Sequence, residues 1–179
     1  MEQDQLRKEI GRLKQEKGAV IFAHNYQPAE VQDIADVVGD SLELSRLAAE
    51  AEARIIVLAG VYFMAETAKI LAPDKKVIIP DPQAGCPLAD MASRADLIEM
   101  KNKFPGRKVV SYVNTTAGVK AETDICCTSA NAVKLVNSLP DEEIIFVPDR
   151  NLASYVRLKT GKRIIAWNGY CPIHEEIRL

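Results

Sequence analysis

Short apolar runs alternate regularly with segments of helical periodicity along this chain. Runs such as 19–23 and 55–59 are apolar throughout, which is typical of strands buried on both faces of a parallel sheet. The pattern predicts strands at 19–23, 55–59, 77–79, 109–113, 144–147 and 164–167, and helices at 2–17, 29–38, 41–53, 62–71, 93–103, 129–138 and 151–159. Short strands separated by helices predict βα units, and therefore an α/β fold with mostly parallel sheets.

The sequence also contains an internal repeat. The strand at 77–79 leads through a short loop to Cys86-Pro87, and the strand at 164–167 leads to Cys171-Pro172. We therefore predict repeated α/β/α lobes with short parallel sheets. The expected divisions are an N-terminal helix over 1–17, a first lobe over 18–103 that carries Cys86, and a second lobe over 104–175 that carries Cys171.

Composition and charge exclude several classes of protein. The 179 residues include 23 basic and 25 acidic side chains, so the net charge of -2 does not support a nucleic-acid-binding surface. No apolar run approaches the roughly 20 residues that span a bilayer. The segment 1–17 is charged throughout and is not a secretory signal. We expect a cytoplasmic protein, in which the four cysteines are free thiols or metal ligands rather than disulfides.

Cys86 and Cys171 occupy equivalent points of the repeat. Each could be a small buried apolar residue, or the two could share one soft metal centre at the lobe interface. Zinc is disfavoured because the paired Cys-x-x-Cys spacing is absent. An iron–sulfur cluster accepts dispersed thiolates, but two are too few and a third must come from elsewhere.

Cys126 and Cys127 are adjacent. In an extended segment their side chains point to opposite faces, so both cannot easily reach one metal. We interpret one as lining the core and the other as lining a pocket. A third cluster ligand from this pair and a vicinal disulfide are the alternatives.

Two histidines and two predicted helix starts are candidates for substrate binding. His24 lies at a strand end beside Tyr26, and His174 follows Cys171 by three residues. These positions suit acid–base work or carboxylate binding, although a structural histidine is the alternative. Asp40-Ser41 and Thr128-Ser129 precede predicted helices, where they could be simple caps or could help to hold a small anion. No glycine-rich nucleotide motif is present.

Six segments of the chain resemble the motifs of the quinolinate synthase family. They follow the family's order with nearly its spacing, they cover essentially the whole chain, and they are highly specific as a set. The segments are 23–27, 39–43, 84–91, 111–115, 127–132 and 167–174.

The resemblance implies three α/β/α lobes in a pseudo-threefold arrangement, with a [4Fe–4S] cluster at their junction and one cysteine from each lobe. Two of these match Cys86 and Cys171. It also implies that iminoaspartate and dihydroxyacetone phosphate condense to quinolinate, phosphate and water for NAD biosynthesis, with one iron acting as a Lewis acid. L-aspartate oxidase is the implied supplier of iminoaspartate.

The resemblance also implies roles for individual residues. Tyr26 is expected to assist proton transfer or ring closure, and His174 is expected to flank the cluster. The residues expected at substrate carboxylate or phosphate groups are His24, Ser41, Tyr112, Val113, Asn114 and Ser129.

One departure from the family concerns its third lobe, of which 176–179 would be the start. The third thiolate cannot be placed on this sequence, so we expect the isolated chain to bind a cluster poorly. The alternatives are another cluster-dependent dehydratase of small carboxylic acids, an inactive fragment, or a non-catalytic α/β module that binds an anion.

Overall fold

The computed structural model describes residues 3–177, and the chain divides into two compact units, Met1–Gly85 and Cys86–Leu179. This boundary precedes the sequence-based division after residue 103. The reason is that Leu97, in the intervening helix, packs with Val109 and Ile145 in the core of the second unit. Cys86 and Cys171 therefore belong to the same unit.

The first unit contains one parallel sheet of four strands in the order β2-β1-β3-β4. Its strands are β1 (Ala19–His24), β2 (Val37–Gly39), β3 (Ile55–Ala59) and β4 (Lys76–Ile78). Its helices are α1 (Gln3–Lys17), α2 (Ala29–Gln32), α3 (Ser41–Glu50) and α4 (Tyr62–Leu71).

The second unit repeats this topology with a four-stranded parallel sheet in the order β6-β5-β7-β8. Its strands are β5 (Lys108–Tyr112), β6 (Ile125–Cys127), β7 (Glu143–Val147) and β8 (Arg163–Ala166). A 3-10 turn at Ala89–Met91 precedes the helices α5 (Arg94–Lys103), α6 (Ala117–Lys120), α7 (Ala132–Ser138), α8 (Arg150–Thr160) and α9 (Pro172–Glu175). The predicted α/β fold with repeated parallel sheets is confirmed.

The strand register identifies equivalent residues of the two units. Ala23 pairs with the second residue of β2 and the last of β3, and Ser111 pairs with the second residue of β6 and the last of β7. His24 and Tyr112, which come next and end their strands, therefore hold the same place in their sheets. Since parallel α/β sheets bind ligands beyond the carboxyl ends of their strands, both residues lie at the edge where a site is expected.

The second sheet is apolar on both faces because helices cover both. Ile144 and Phe146 pack in a cluster with residues of α7 and α8, while Ile145 and Val147 pack in another with residues of α5 and α6. Alternate residues of one strand point to opposite faces. This explains why residues 144–147 form a continuous apolar run and do not alternate between apolar and polar residues.

The predicted helix over 29–38 is wrong in its second half. Helix α2 ends at Gln32, and the residues after Asp36 form β2. The Asp36 carboxylate accepts a hydrogen bond from the backbone N–H of Ile21 at 2.8 Å, and the Ile21 carbonyl accepts one from the Asp36 N–H. This reciprocal pair fixes the segment beside β1, so a tertiary contact overrides the helical pattern.

The predicted helix over 129–138 begins later than expected. Its first residue is Ala132, and Asn131 precedes it. The Asn131 side chain accepts a hydrogen bond from the Thr128 N–H at 2.7 Å, which folds this segment into a turn. Thr128-Ser129 therefore does not form a helix N-terminus.

Four elements of three or four residues were not predicted from the periodicity. They are β2, β6, α6 and α9. Of the predicted start of a third lobe at 176–179, residues 178 and 179 lie outside the described range. Within residues 3–177, no helix is both long and apolar enough to cross a membrane.

Candidate functional site

In the first unit, the candidate residues follow β1 and β2 where these strands end. His24 is paired with Gly39 in the register, and α3 begins at Ser41 shortly afterwards. The backbone N–H of Asn25 donates to the Gly39 carbonyl at 3.1 Å. His24 and Ser41 are thus brought to one edge of the first sheet.

His24 is neutral near pH 7 in this geometry. Partial burial lowers its pKa, and the charge of Asp40 opposes this effect. The ring Nδ1 accepts a hydrogen bond from the Tyr26 backbone N–H at 3.2 Å, which leaves the proton on Nε2. The imidazole can therefore donate a hydrogen bond through Nε2–H or take up a second proton.

The Tyr26 side chain stands next to His24 and is open to solvent. The two rings meet edge to face with 4.8 Å between their centroids. Tyr26 is 88% exposed, which is unusual for a large aromatic residue. Its hydroxyl is accessible to a bound molecule without any rearrangement of the core.

Asp40 rather than Ser41 caps α3. The Asp40 carboxylate accepts hydrogen bonds from the N–H groups of Leu42 and Glu43, at 2.9 and 2.8 Å. These amides are among those that an anion at the helix end would use. Ser41 could therefore contribute to a site mainly through its hydroxyl.

In the second unit, a buried carboxylate holds the Cys171 loop. Asp149 is only 4% exposed. One of its oxygens caps α8 by accepting the Leu152 N–H at 2.7 Å, and the other accepts the Cys171 N–H at 3.2 Å. The loop is also held by a hydrogen bond of 2.8 Å from the Arg150 N–H to the Gly169 carbonyl.

The Cys86 loop is tied to the Cys171 loop through Met91. The Cys86 carbonyl accepts a hydrogen bond from the Asp90 N–H, which leads the chain into the 3-10 turn that ends at Met91. The Met91 carbonyl accepts the indole N–H of Trp167 at 2.8 Å, and its sulfur accepts the Tyr170 N–H at 3.1 Å. Two loops far apart in sequence thus become one local structure that carries both half-buried thiols.

Tyr112 ends β5 on the same edge of the second sheet. Burial raises the pKa of its hydroxyl, and a hydrogen bond with Ser129 opposes this rise. The nearby negative charge of Asp149 raises this pKa further. Tyr112 is therefore protonated at neutral pH, and the structure brings it together with Ser129 and Cys86.

The adjacent cysteines face opposite sides of β6, as their spacing predicts. Cys127 is buried among core residues such as Val110 and Phe146, while Cys126 is exposed. Burial raises the pKa of the Cys127 thiol to about 12, and the neighbouring Cys126 adds to the shift. A thiol this reluctant to ionise is a poor metal ligand. All four cysteines are free, so the pair forms no vicinal disulfide here.

Val113 and Asn114 lie in the loop after β5. The Val113 side chain is buried, its N–H donates to the Cys127 carbonyl at 2.8 Å, and its own carbonyl accepts the Lys120 ammonium at 2.9 Å. Asn114 follows between Val113 and the buried Thr115. Val113 therefore anchors this loop, and Asn114 is the polar side chain that the loop carries.

His174 lies on α9 with an exposed side chain. Its neighbour Glu175 fixes the helix by accepting hydrogen bonds from Arg150 at 2.9 Å and Asn151 at 2.8 Å. The Arg150 guanidinium also stacks over the Tyr170 ring, 4.5 Å from its centroid. These contacts hold α9 at the start of α8, on the Cys171 side of the unit.

The donor set fits part of a thiolate-bound cluster. Cys86 and Cys171 are free, half-buried thiols on connected loops, which suits ligation of iron. Within residues 3–177, however, no group of three or more His, Cys, Asp or Glu side chains is arranged to hold a metal ion. The described residues therefore do not form a complete metal site by themselves.

Sequence reasoning missed Asp149 and Arg150. Asp149 follows a strand and precedes a helix, so a search for N-caps would have found its first role. Its hydrogen bond with Cys171 joins residues more than twenty positions apart, so no local sequence pattern indicates it. The same holds for the link between Arg150 and Glu175.

Comparisons with known proteins agree on one family. The family model described as Quinolinate synthetase A protein matches residues 8–179. A quinolinate synthase of Dehalococcoides mccartyi is 59% identical over 169 residues, which cover 94% of this chain and 56% of the relative. One of Geobacter metallireducens is 56% identical over 178 residues, covering 99% of this chain and 59% of the relative. One of Methanoregula boonei is 56% identical over 170 residues, with 95% and 56% covered. The chain thus spans less than three fifths of the length of these curated relatives.

Proposed function

Because the chain belongs to the quinolinate synthetase A family, we propose that it provides the part of a quinolinate synthase that carries Cys86 and Cys171. The reaction would condense iminoaspartate with dihydroxyacetone phosphate to give quinolinate, phosphate and water in NAD biosynthesis. The observation that carries the proposal is the connection of the two cysteine loops through Met91, beside Tyr112. L-aspartate oxidase is the proposed source of iminoaspartate.

Cys86 and Cys171 would hold a [4Fe–4S] cluster as thiolates, with further ligation from outside the described residues. When bound, the cluster would supply a Lewis acid that activates a leaving hydroxyl group. Asp149 supports this role of Cys171, because its hydrogen bond fixes the cysteine backbone before any metal arrives. Cys127 takes no part, since its thiol is buried and stays protonated.

In the first unit, His24 and Tyr26 would handle protons. His24 is neutral and carries its proton on Nε2, so it can donate a hydrogen bond to a substrate carboxylate or accept a proton from a substrate carbon. The exposed Tyr26 hydroxyl lies beside the ring and can exchange a proton with the same molecule. Ser41 adds a neutral hydroxyl donor at the start of α3.

In the second unit, Tyr112 and Ser129 would bind carboxylate or phosphate oxygens. The raised pKa of Tyr112 keeps its hydroxyl protonated, so it donates hydrogen bonds to an anion and does not repel it. Asn114 adds an amide donor from the adjoining loop. His174 would lie near the cluster because α9 begins directly after Cys171.

The proposal can be tested with a chimera, since the chain spans less than three fifths of the length of these relatives. The chain replaces the matching 56% of the Dehalococcoides mccartyi quinolinate synthase, and the purified chimera is loaded anaerobically with iron and sulfide. We expect quinolinate from iminoaspartate and dihydroxyacetone phosphate, detected by mass spectrometry. The Cys171→Ser chimera is the matched control and should form none. A folded, iron-loaded chimera that releases another carboxylic acid, or no product, would overturn the proposal.

A further inference from the structure

The loop after the first strand of each unit is held by the same arrangement of hydrogen bonds. In the first unit, the Gln32 side-chain amide donates to the carbonyls of Asn25 at 3.2 Å and Gln27 at 2.7 Å. In the second unit, the Lys120 ammonium donates to the carbonyls of Val113 and Thr115. In both cases one side chain bridges two carbonyls of a single loop.

The two bridging residues hold equivalent places in the repeat. Gln32 is the last residue of α2, and Lys120 is the last residue of α6. Both bridge the first and third carbonyls after the strand-ending residues, which are His24 and Tyr112. The strand register places His24 and Tyr112 at equivalent positions. The two bridges are therefore the same arrangement of hydrogen bonds, made by different side chains.

The chemistry explains why such different residues serve here. Each site needs several N–H donors aimed at two carbonyls, and a glutamine amide has two while a lysine ammonium has three. The loops also close on themselves, because Gln27 N–H donates to the His24 carbonyl at 2.9 Å and Thr115 N–H donates to the Val113 carbonyl at 2.8 Å. The bridging side chain therefore completes each loop and fixes its shape.

We propose that Gln32 and Lys120 are positioning residues, which fix the loops that present Tyr26 and Asn114 to substrate. This inference rests on the proposed function, since it takes those side chains as substrate contacts. Loss of either bridge would leave two carbonyls without their donor and allow the loop to open locally. The substrate-binding side chain would then be free to leave its productive position.

Hydrogen exchange on the unmodified chain and on three variants tests the bridges directly. In Lys120→Met, which removes the donors, we expect the Thr115 amide to exchange about tenfold faster, while the Gln27 amide is unchanged. In Gln32→Leu, the effects on the two amides should be reversed. Lys120→Gln places in the second unit the residue that performs this task in the first, so it should restore slow exchange at Thr115.

Three results would overturn the inference. One is unchanged exchange at Thr115 in Lys120→Met. Another is equal acceleration there and at the core amide of Ile145, which would show general destabilisation. The third is a Lys120→Gln variant that behaves like Lys120→Met, because the role would then belong to the charge and not to the bridge.

A second measurement separates this inference from the proposed function. Binding of dihydroxyacetone phosphate is followed by calorimetry, with about tenfold weaker binding expected for Lys120→Met and near-normal binding for Lys120→Gln. If the unaltered chain binds no dihydroxyacetone phosphate, the proposed substrate contact in this chain fails. The exchange experiment still decides whether the bridges position the loops.

Discussion

The carboxylate of Asp149 accepts a hydrogen bond from the backbone N–H of Cys171, with 3.2 Å between Oδ2 and N. Its other oxygen caps α8. Val61 precedes α4 at the corresponding place in the first unit, and its side chain makes no capping bond. A carboxylate at this place therefore occurs in the unit that carries both candidate cluster thiols, where it binds the cysteine loop and also caps the helix.

Replacing Asp149 by asparagine should release the Cys171 loop. In either orientation of the new amide, one of the two N–H groups loses its acceptor, at a cost of about 1–3 kcal/mol in the free energy of unfolding. We expect faster exchange of the Cys171 amide and a lower urea midpoint. Ser93→Ala is the matched control, because it removes the cap of α5 in the same unit without touching Cys171. Unchanged exchange at Cys171 in Asp149→Asn would contradict this role.

Trp167→Phe should loosen the Cys86 loop. The substitution leaves the Met91 carbonyl without the indole N–H that it accepts at 2.8 Å. We expect alkylation of Cys86 by iodoacetamide to be roughly fivefold faster, which corresponds to the loss of one hydrogen bond. Tyr155→Phe, at an exposed position of α8, should leave the rate unchanged. Equal rates in Trp167→Phe and the unmodified chain would show that the Met91 link does not restrain Cys86.

The adjacent cysteines should differ sharply in reactivity. Cys127 is buried and the pKa of its thiol is about 12. Cys126 is exposed on the other face of β6, and partial burial of its thiol also raises its pKa. We expect iodoacetamide at about pH 8 to label Cys126 in the folded chain and to label Cys127 only after unfolding in urea. Because the two cysteines are adjacent, labelling is measured by peptide mass spectrometry on the Cys126→Ser and Cys127→Ser variants, each of which retains one thiol of the pair. Early labelling of Cys127 would contradict its placement in the core.

His24 should make stability depend on pH in a defined direction. Burial lowers its pKa, so the folded state favours the neutral ring. Its contribution is complete above the unfolded pKa of about 6.5 and is lost as the pH falls through the lower folded value. The free energy of unfolding, measured in urea from about pH 8 to pH 5, should therefore fall less in His24→Gln than in the unmodified chain. Identical pH profiles of the variant and the unmodified chain would contradict a folded state in which His24 is partly buried and neutral.

The sequence predicts those parts of the fold that depend on local patterns. Residues 144–147 are recognisable as a strand because helices cover both faces of the sheet, and an unbroken apolar run results. The strand β2 is not recognisable, because its pairing depends on the Asp36 carboxylate and a distant amide of β1. The reciprocal bond of Asp124 with Val109 does the same for β6 in the second unit.

The candidate site likewise has features that local sequence patterns predict and features that depend on tertiary contacts. Cys86 and Cys171 could be singled out from the repeat, since each follows a strand and precedes a proline. The start of α7 could not be predicted, because the Asn131 side chain accepts a hydrogen bond from the Thr128 amide and the helix begins later. The hydrogen bond from the Cys171 N–H to the Asp149 carboxylate could not be predicted either, because it joins residues that only the tertiary fold brings together.

Cysteine footprinting after anaerobic incubation with iron and sulfide tests whether Cys86 and Cys171 hold iron together. The chain is treated with iodoacetamide, and the protected fraction of each cysteine is compared with the iron bound. We expect Cys86 and Cys171 to be protected together, in proportion to iron, while Cys126 is labelled as in the untreated chain. Protection of Cys86 should disappear in Cys171→Ser. Iron-bound chain in which Cys86 and Cys171 are labelled as fast as without iron would contradict their assignment as joint cluster ligands.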